Sequence, residues 1–184
     1  VTYFALENFS DKNKEINLDL LFENLDKIKL EFRNENGKLV LYLNNHNIDS
    51  EIRDTIVSEH VSIIAKQKQV RDFLLDMQKS FGKNGGIIMD GRDIATVVFP
   101  NADFKIFLTA SKEERAKRRF LELTESGIKV EYEEVLENLV KRDKIDSERA
   151  IAPLKKAADA ILIDNTHLTK QETIDKICDI VVKN

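Results

Sequence analysis

The sequence predicts an α/β protein with a central parallel sheet and a small antiparallel hairpin inserted ahead of it. Two patterns carry this. Short apolar runs, Ile87–Met89, Lys105–Thr109 and Ile161–Asp164, alternate with segments of helical periodicity, as βαβ units require. Ahead of them, Leu30 and Phe32 alternate with Glu31 and Arg33, and Leu39, Leu41 and Leu43 with Val40 and Tyr42, a period of two that marks half-buried strands. Asn36-Gly37 between these strands is a strong hairpin-turn signal.

In order, Val1 to Asn8 reads as helix, Phe9 to Asn17 as loop, and Leu18 to Leu25 as a short helix with one apolar face. The hairpin follows. Ser50 is the expected cap of a helix from Glu51 whose apolar face includes Ile56, Val57 and Ile64, and a second helix runs from about Gln69 with Val70, Phe73, Leu74 and Met77 inward. The apolar run Ile87–Met89 opens into Asp90-Gly91-Arg92-Asp93. Buried parallel strands read as such runs, and open α/β sheets hold ligands beyond the carboxyl ends of their strands, so Asp90, Arg92 and Asp93 are candidate site residues. After the strand Lys105–Thr109, Ser111 and Glu114 have the spacing of a capping box. The helix they open carries Arg115, Arg118 and Arg119 at i, i+3 and i+4, on one face. Gly127 ends it, Glu131 to Asp146 is the next helix, and Arg142, Asp146 and Arg149 share a face if the helix runs on. Pro153 forces a break or opens a short helix from Leu154 to Ala160; Ile161–Asp164 is the last strand, and Thr169 or Lys170 to Val182 the closing helix.

Composition limits the function. With 184 residues the chain can form one domain with a substantial core, and a net charge of −4 gives no basic face for a nucleic-acid polymer or an acidic membrane. Any anionic ligand must be held by local arginines, which bind phosphate bidentately. Cys178 is the only cysteine, flanked by Ile177 and Ile180, and reads as a buried thiol; a disulfide framework is excluded and a reducing cytoplasm expected. His46, His60 and His167 have no metal-ligand spacing, and no apolar run approaches the ~20 residues of a membrane span. A monomer is expected.

The motifs Asp90-Gly-Arg-Asp-Ile-Ala-Thr-Val-Val-Phe-Pro, Lys105-Ile-Phe-Leu-Thr-Ala-Ser-Lys-Glu-Glu-Arg-Ala-Lys-Arg-Arg and Arg142-Asp-x-x-Asp-x-x-Arg-Ala-x-Ala-Pro-Leu, in this order, resemble bacterial cytidylate kinases over essentially the whole chain. The resemblance implies a nucleoside monophosphate kinase fold of the P-loop class, with three layers, and transfer of phosphoryl from ATP to CMP or dCMP with Mg²⁺. The hairpin (26–50) then lies within a CMP-binding subdomain of about residues 9–66, and 111–150 forms a lid. By the same resemblance Ser62, Arg71 and Asp93 read the cytosine edge, Arg92 binds the CMP phosphate, and Arg142 and Asp146 approach the ribose. Arg149 contacts the acceptor side or the transferring phosphate, Asp90 orients Mg²⁺ through water, and Arg115, Arg118 and Arg119 face the ATP phosphates. One family element is not in these residues: the loop Gly-x-x-x-x-Gly-Lys-[Ser/Thr] and the Tyr-Arg after it. The chain opens at Val1 in helix-like sequence, so about forty preceding residues are expected to belong to the full reading frame, and this stretch alone is expected to be inactive. The alternatives are a kinase for another nucleoside monophosphate and a non-catalytic nucleotide-binding protein.

Overall fold

A computed structural model describes residues 1–183, and the chain divides into two compact units, Val1–Gly85 and Gly86–Asn184. Mixed α/β structure with a parallel strand pair and a separate antiparallel sheet is what the sequence patterns predict.

The first unit is built on apolar contacts. Helix α1 (Thr2–Phe9) leads through a loop to α2 (Leu18–Glu23), whose first turn is capped by Asn17, its side chain accepting from the Leu20 N–H at 3.1 Å. Strands β1 (Leu30–Glu35) and β2 (Lys38–Leu43) pair antiparallel, as the alternation predicts, with Leu30 opposite Leu43 and Phe32 opposite Leu41. Both turn residues are left-handed, Asn36 at φ 53° and Gly37 at φ 80°, so the link has the twist that a two-residue hairpin needs. A third strand, β3 (His46–Asn47), pairs with β2 across Asn44 and Asn45, also at positive φ. Asn tolerates that region better than most residues, and this second turn passes unnoticed in the sequence because it has no glycine. Helices α3 (Thr55–Ala65) and α4 (Lys68–Phe81) complete the unit. Leu21, Ile64, Val70, Ala5, Ile28, Leu43 and Ile48 form one buried cluster, so the hairpin is rooted in the core by Leu43 and Ile48.

The cap of α3 differs from expectation. Ser50 precedes a single 3₁₀ turn (Glu51–Arg53), and Asp54 caps the helix, accepting from the Ile56 N–H at 3.2 Å. A carboxylate at the N-terminus outcompetes the hydroxyl, which donates instead to Glu51.

In the second unit, β4 (Ile106–Thr109) and β5 (Ile161–Asp164) pair in parallel, Ile106 opposite Ile161. Three helices accompany them: α5 (Lys112–Glu125), α6 (Tyr132–Glu148) and α7 (Lys170–Lys183). Gly127 (φ 79°) stops α5: its N–H donates to Thr124 O and the Ile128 N–H reaches back to Leu123 O, the paired bonds of a Schellman end.

Three sequence expectations are corrected here. Ile87–Met89 is irregular chain and not a strand; no described residue forms a ladder with it, and Ile88 is fully exposed. Leu154 to Ala160 is not helical: the Leu154 N–H donates to Asp146 O at 2.7 Å, and the few residues left are too short a run to nucleate a helix. Cys178 lies on the exposed side of α7, not in a core.

Candidate functional site

The second unit gathers most of the predicted residues around one end of α6. Asp93 initiates a π-helical turn, Ile94–Val98. Its carbonyl accepts from the Val97 N–H at 2.8 Å and from the Thr96 N–H and Oγ1, both at 3.3 Å, while the Phe99 N–H reaches Ile94 O. Such turns recur at functional sites because the extra residue redirects side chains. Here Asp93 ends up buried and Arg92 beside it exposed.

Arg92 and Asp93 both engage the α6 end. Nε of Arg92 donates to Asp146 Oδ2 at 3.1 Å; Arg149 stands 3.6 Å from Asp93 and 3.7 Å from Asp146, and all three of the latter are buried. The helix stops at Glu148, and Arg149 is its extended C-cap, so the i, i+4, i+7 face is not continued as helix. The set meets nonetheless, because Arg149 Nε donates to Ala152 O at 2.6 Å. Ala152 holds a left-handed backbone (φ 48°) immediately before Pro153, a placement costing on the order of 1–3 kcal/mol that only a constrained site sustains.

Arg142, one turn earlier, is the electrostatic anomaly. Burial pulls its pKa down, as do the neighbouring Arg92 and Arg119 guanidinia; Asp146 and Asp143 pull the other way. Its Nε–H is buried and has no acceptor among the described residues. Three guanidinia, one carrying a buried unmet donor, make a place that an anion would stabilise.

The three arginines of α5 separate into different tasks. Arg118 donates to the Glu114 carboxylate, to Asn165 Oδ1, and to the backbone carbonyls of Asn165 (2.7 Å) and Leu168 (3.3 Å), fastening α5 to the loop after β5. Ser111 assists: its N–H donates to Thr166 Oγ1, and its hydroxyl caps the helix by accepting from the Glu114 N–H. Only that half of the expected capping box forms, because the Glu114 carboxylate is drawn to Arg118. Arg115 forks onto Asp143 of α6, and Arg119 pairs with Glu122.

Asp90 is exposed at the end of the apolar run Ile87–Met89. Among the described residues no cluster of three or more His, Cys, Asp or Glu stands ready to hold a metal. In the first unit, Ser62 is buried on α3 and Arg71, half-buried on α4, donates to Ala65 O at 3.2 Å. The residues that sequence reasoning missed are Asp143 and Ala152; both lie inside the Arg142-to-Leu154 motif, but neither has a periodicity that singles it out.

A profile of the cytidylate kinase family matches residues 1–183. The chain belongs to the cytidylate kinase family. It is 48% identical over 184 residues to a cytidylate kinase of Flavobacterium psychrophilum, an alignment covering 98% of this chain and 81% of that protein. With the cytidylate kinase of Bacillus pumilus it shares 46% identity, over 97% of this chain and 78% of the relative, and with that of Bacillus subtilis 44%, over 98% and 80%. Family membership gives the buried ion network its context: a nucleoside monophosphate kinase is an enzyme that handles several phosphates at once, and converging arginines suit that work.

Proposed function

We propose that the protein phosphorylates CMP and dCMP, taking the γ-phosphoryl group of ATP by direct in-line transfer without a covalent intermediate. The structural observation that carries the proposal is the anion-seeking cluster of Arg92, Arg119 and half-buried Arg142, whose buried Nε–H has no acceptor among the described residues. Phosphoryl transfer asks little covalent chemistry of the protein; it asks for positioning and for neutralisation of charge on the moving group.

In this reading Arg92 and Arg142 bind the acceptor nucleotide's phosphate and ribose side, with Asp146 orienting both. Asp93 accepts from the cytosine amino group, which a carboxylate is suited to do. Ser62 and Arg71 keep the cytosine-edge roles implied by resemblance. Arg149, held by Asp93, Asp146 and Ala152, stabilises the transferring group. Arg115 and Arg119 face the triphosphate, whereas Arg118 is assigned to architecture because its donors go to Glu114 and to the loop after β5. Asp90, an exposed lone carboxylate, fits Mg²⁺ held through water, since that ion keeps most of its waters and takes its remaining ligands from nucleotide phosphates. When bound, it would neutralise phosphate charge. Residues 111–150 act as a lid, 9–66 as the CMP-binding subdomain, and a monomer in the cytoplasm is the working unit.

The test is an ADP-release assay on the complete gene product, with any residues that precede Val1, offering CMP, dCMP, UMP, AMP and dTMP. CMP and dCMP are expected to be preferred, and the 184-residue stretch alone, which contains no Gly-x-x-x-x-Gly-Lys-[Ser/Thr] loop, is expected to show no turnover. Preference for another acceptor overturns the specificity reading.

A further inference from the structure

Arg115 is oriented from two sides, by the chain ahead of α5 and by α6. Its Nε–H donates to Ala110 O at 3.1 Å, and its two terminal nitrogens lie 3.1 Å and 2.7 Å from the two carboxylate oxygens of Asp143 on α6. A guanidinium has five N–H donors in a rigid plane. Three are committed, which leaves one on each terminal nitrogen, aimed in directions fixed by the other three. Arginine in a fork of this kind is preorganised in a way a free side chain is not.

The pair is about one-third exposed on both sides, 36% for Arg115 and 30% for Asp143, so water and salt screen it and its value to stability is small. The α5–α6 contact has a charge-independent part besides. Phe120 and Tyr132 meet edge to face at 6.1 Å, and the Tyr132 hydroxyl donates to Glu113 O. What the ion pair adds is orientation. It sits on α6 next to Arg142, and one helical turn before Asp146, which holds Arg92. A helix that grips Arg115 at Asp143 and Arg92 at Asp146 therefore ties the α5 cation to the rest of the arginine cluster.

We propose that Asp143 is a positioning residue, which latches α5 to α6 and presets the Arg115 guanidinium for the triphosphate. The proposal rests on the kinase reading for the ligand that Arg115 meets, but the latch itself does not. The opposite role is also chemically conceivable: a carboxylate that occupies Arg115 in place of phosphate. The two roles predict opposite signs. Removing a presetting group weakens triphosphate binding, because the arginine must then be ordered at the moment of binding; removing a competitor strengthens it.

The experiment uses Asp143→Asn, which keeps shape and removes charge, and Asp143→Glu, in the complete gene product. Hydrogen exchange of the 126–131 turn and of α6 is measured without nucleotide, and KM for ATP and for CMP with it. For Asp143→Asn we expect faster exchange in those segments, a KM for ATP raised about fivefold to tenfold, and a KM for CMP changed by less than about twofold. Asp143→Glu is expected to recover most of both losses. Unchanged exchange overturns the latch. Faster exchange with KM for ATP unchanged or lowered overturns the presetting role, and so does an equal rise in both KM values. Failure of the wild-type protein to phosphorylate CMP would instead count against the kinase reading, and leaves the exchange result to decide the latch on its own.

Discussion

The two units are held together by different chemistry. In Val1–Gly85 large side chains from helices and from the hairpin root fill one buried cluster. In Gly86–Asn184 the buried hydrophobic residues are mostly small, Ala110, Ala116, Ala160, Val98 and Val135 among them, and buried Asp93, Asp146 and Arg149 occupy the place large apolar residues hold in the other unit. Large apolar groups on the second unit, such as Leu108, Ile161 and Leu162 of the strand pair, are exposed. A core of hydrocarbon tolerates small errors of placement; an ion network does not, because each buried charge depends on a named partner. The unit with the network is the one that holds most of the residues proposed for phosphate binding.

The largest way to break this contrast is Asp146→Ala. It leaves Arg92 and buried Arg149 without one carboxylate each, and removal of one partner from a buried pair costs about 3–5 kcal/mol. Hydrogen exchange should rise across α6 while the first unit's amides keep their protection; loss of protection in both units together would show that they do not respond separately. The matching change in the first unit is Leu21→Ala. Leu21 is fully buried, and the substitution should cost about 2–5 kcal/mol by denaturation, with the size of the cavity deciding where in that range it falls.

How much of this was legible in the sequence follows the same division. Period-two alternation and Asn36-Gly37 predict the hairpin, and the two-residue turn between Glu35 and Lys38 sets its register. The apolar run Ile87–Met89 predicts a strand that does not form, since a run of hydrophobic residues states a need for burial and says nothing about which ladder will provide it. At the site, the spacing of Arg142, Asp146 and Arg149 pointed to a common face, yet the contact is made by a C-cap and the carbonyl of a left-handed alanine, which no helical periodicity encodes. The separate tasks of Arg115 and Arg118 are equally invisible, because Arg115 meets α6 and Arg118 the loop after β5, far along the chain, whereas Arg119 stays with its near neighbour Glu122.

The smallest expected effect is on pH dependence and sharpens the second unit's side of the comparison. Hydrogen bonds from Thr166 hold the Asp164 carboxyl below its ordinary range, and those from Thr169 do the same for Glu172. A folded-state pKa below the unfolded one stabilises the fold above the unfolded value, and this is lost as pH falls through the folded value. Denaturation midpoints should therefore drop as pH falls below the ordinary carboxylate range of about 4, and the drop should be shallower in Asp164→Asn.

Arg118 has a consequence of a different kind. Two of its bonds go to the main-chain oxygens of Asn165 and Leu168, atoms that every residue type supplies. Substitution at Leu168 cannot remove its acceptor, and at Asn165 it removes only the amide oxygen. The loop can therefore drift in sequence while the arginine keeps its path in place, a form of mutational tolerance written into the backbone.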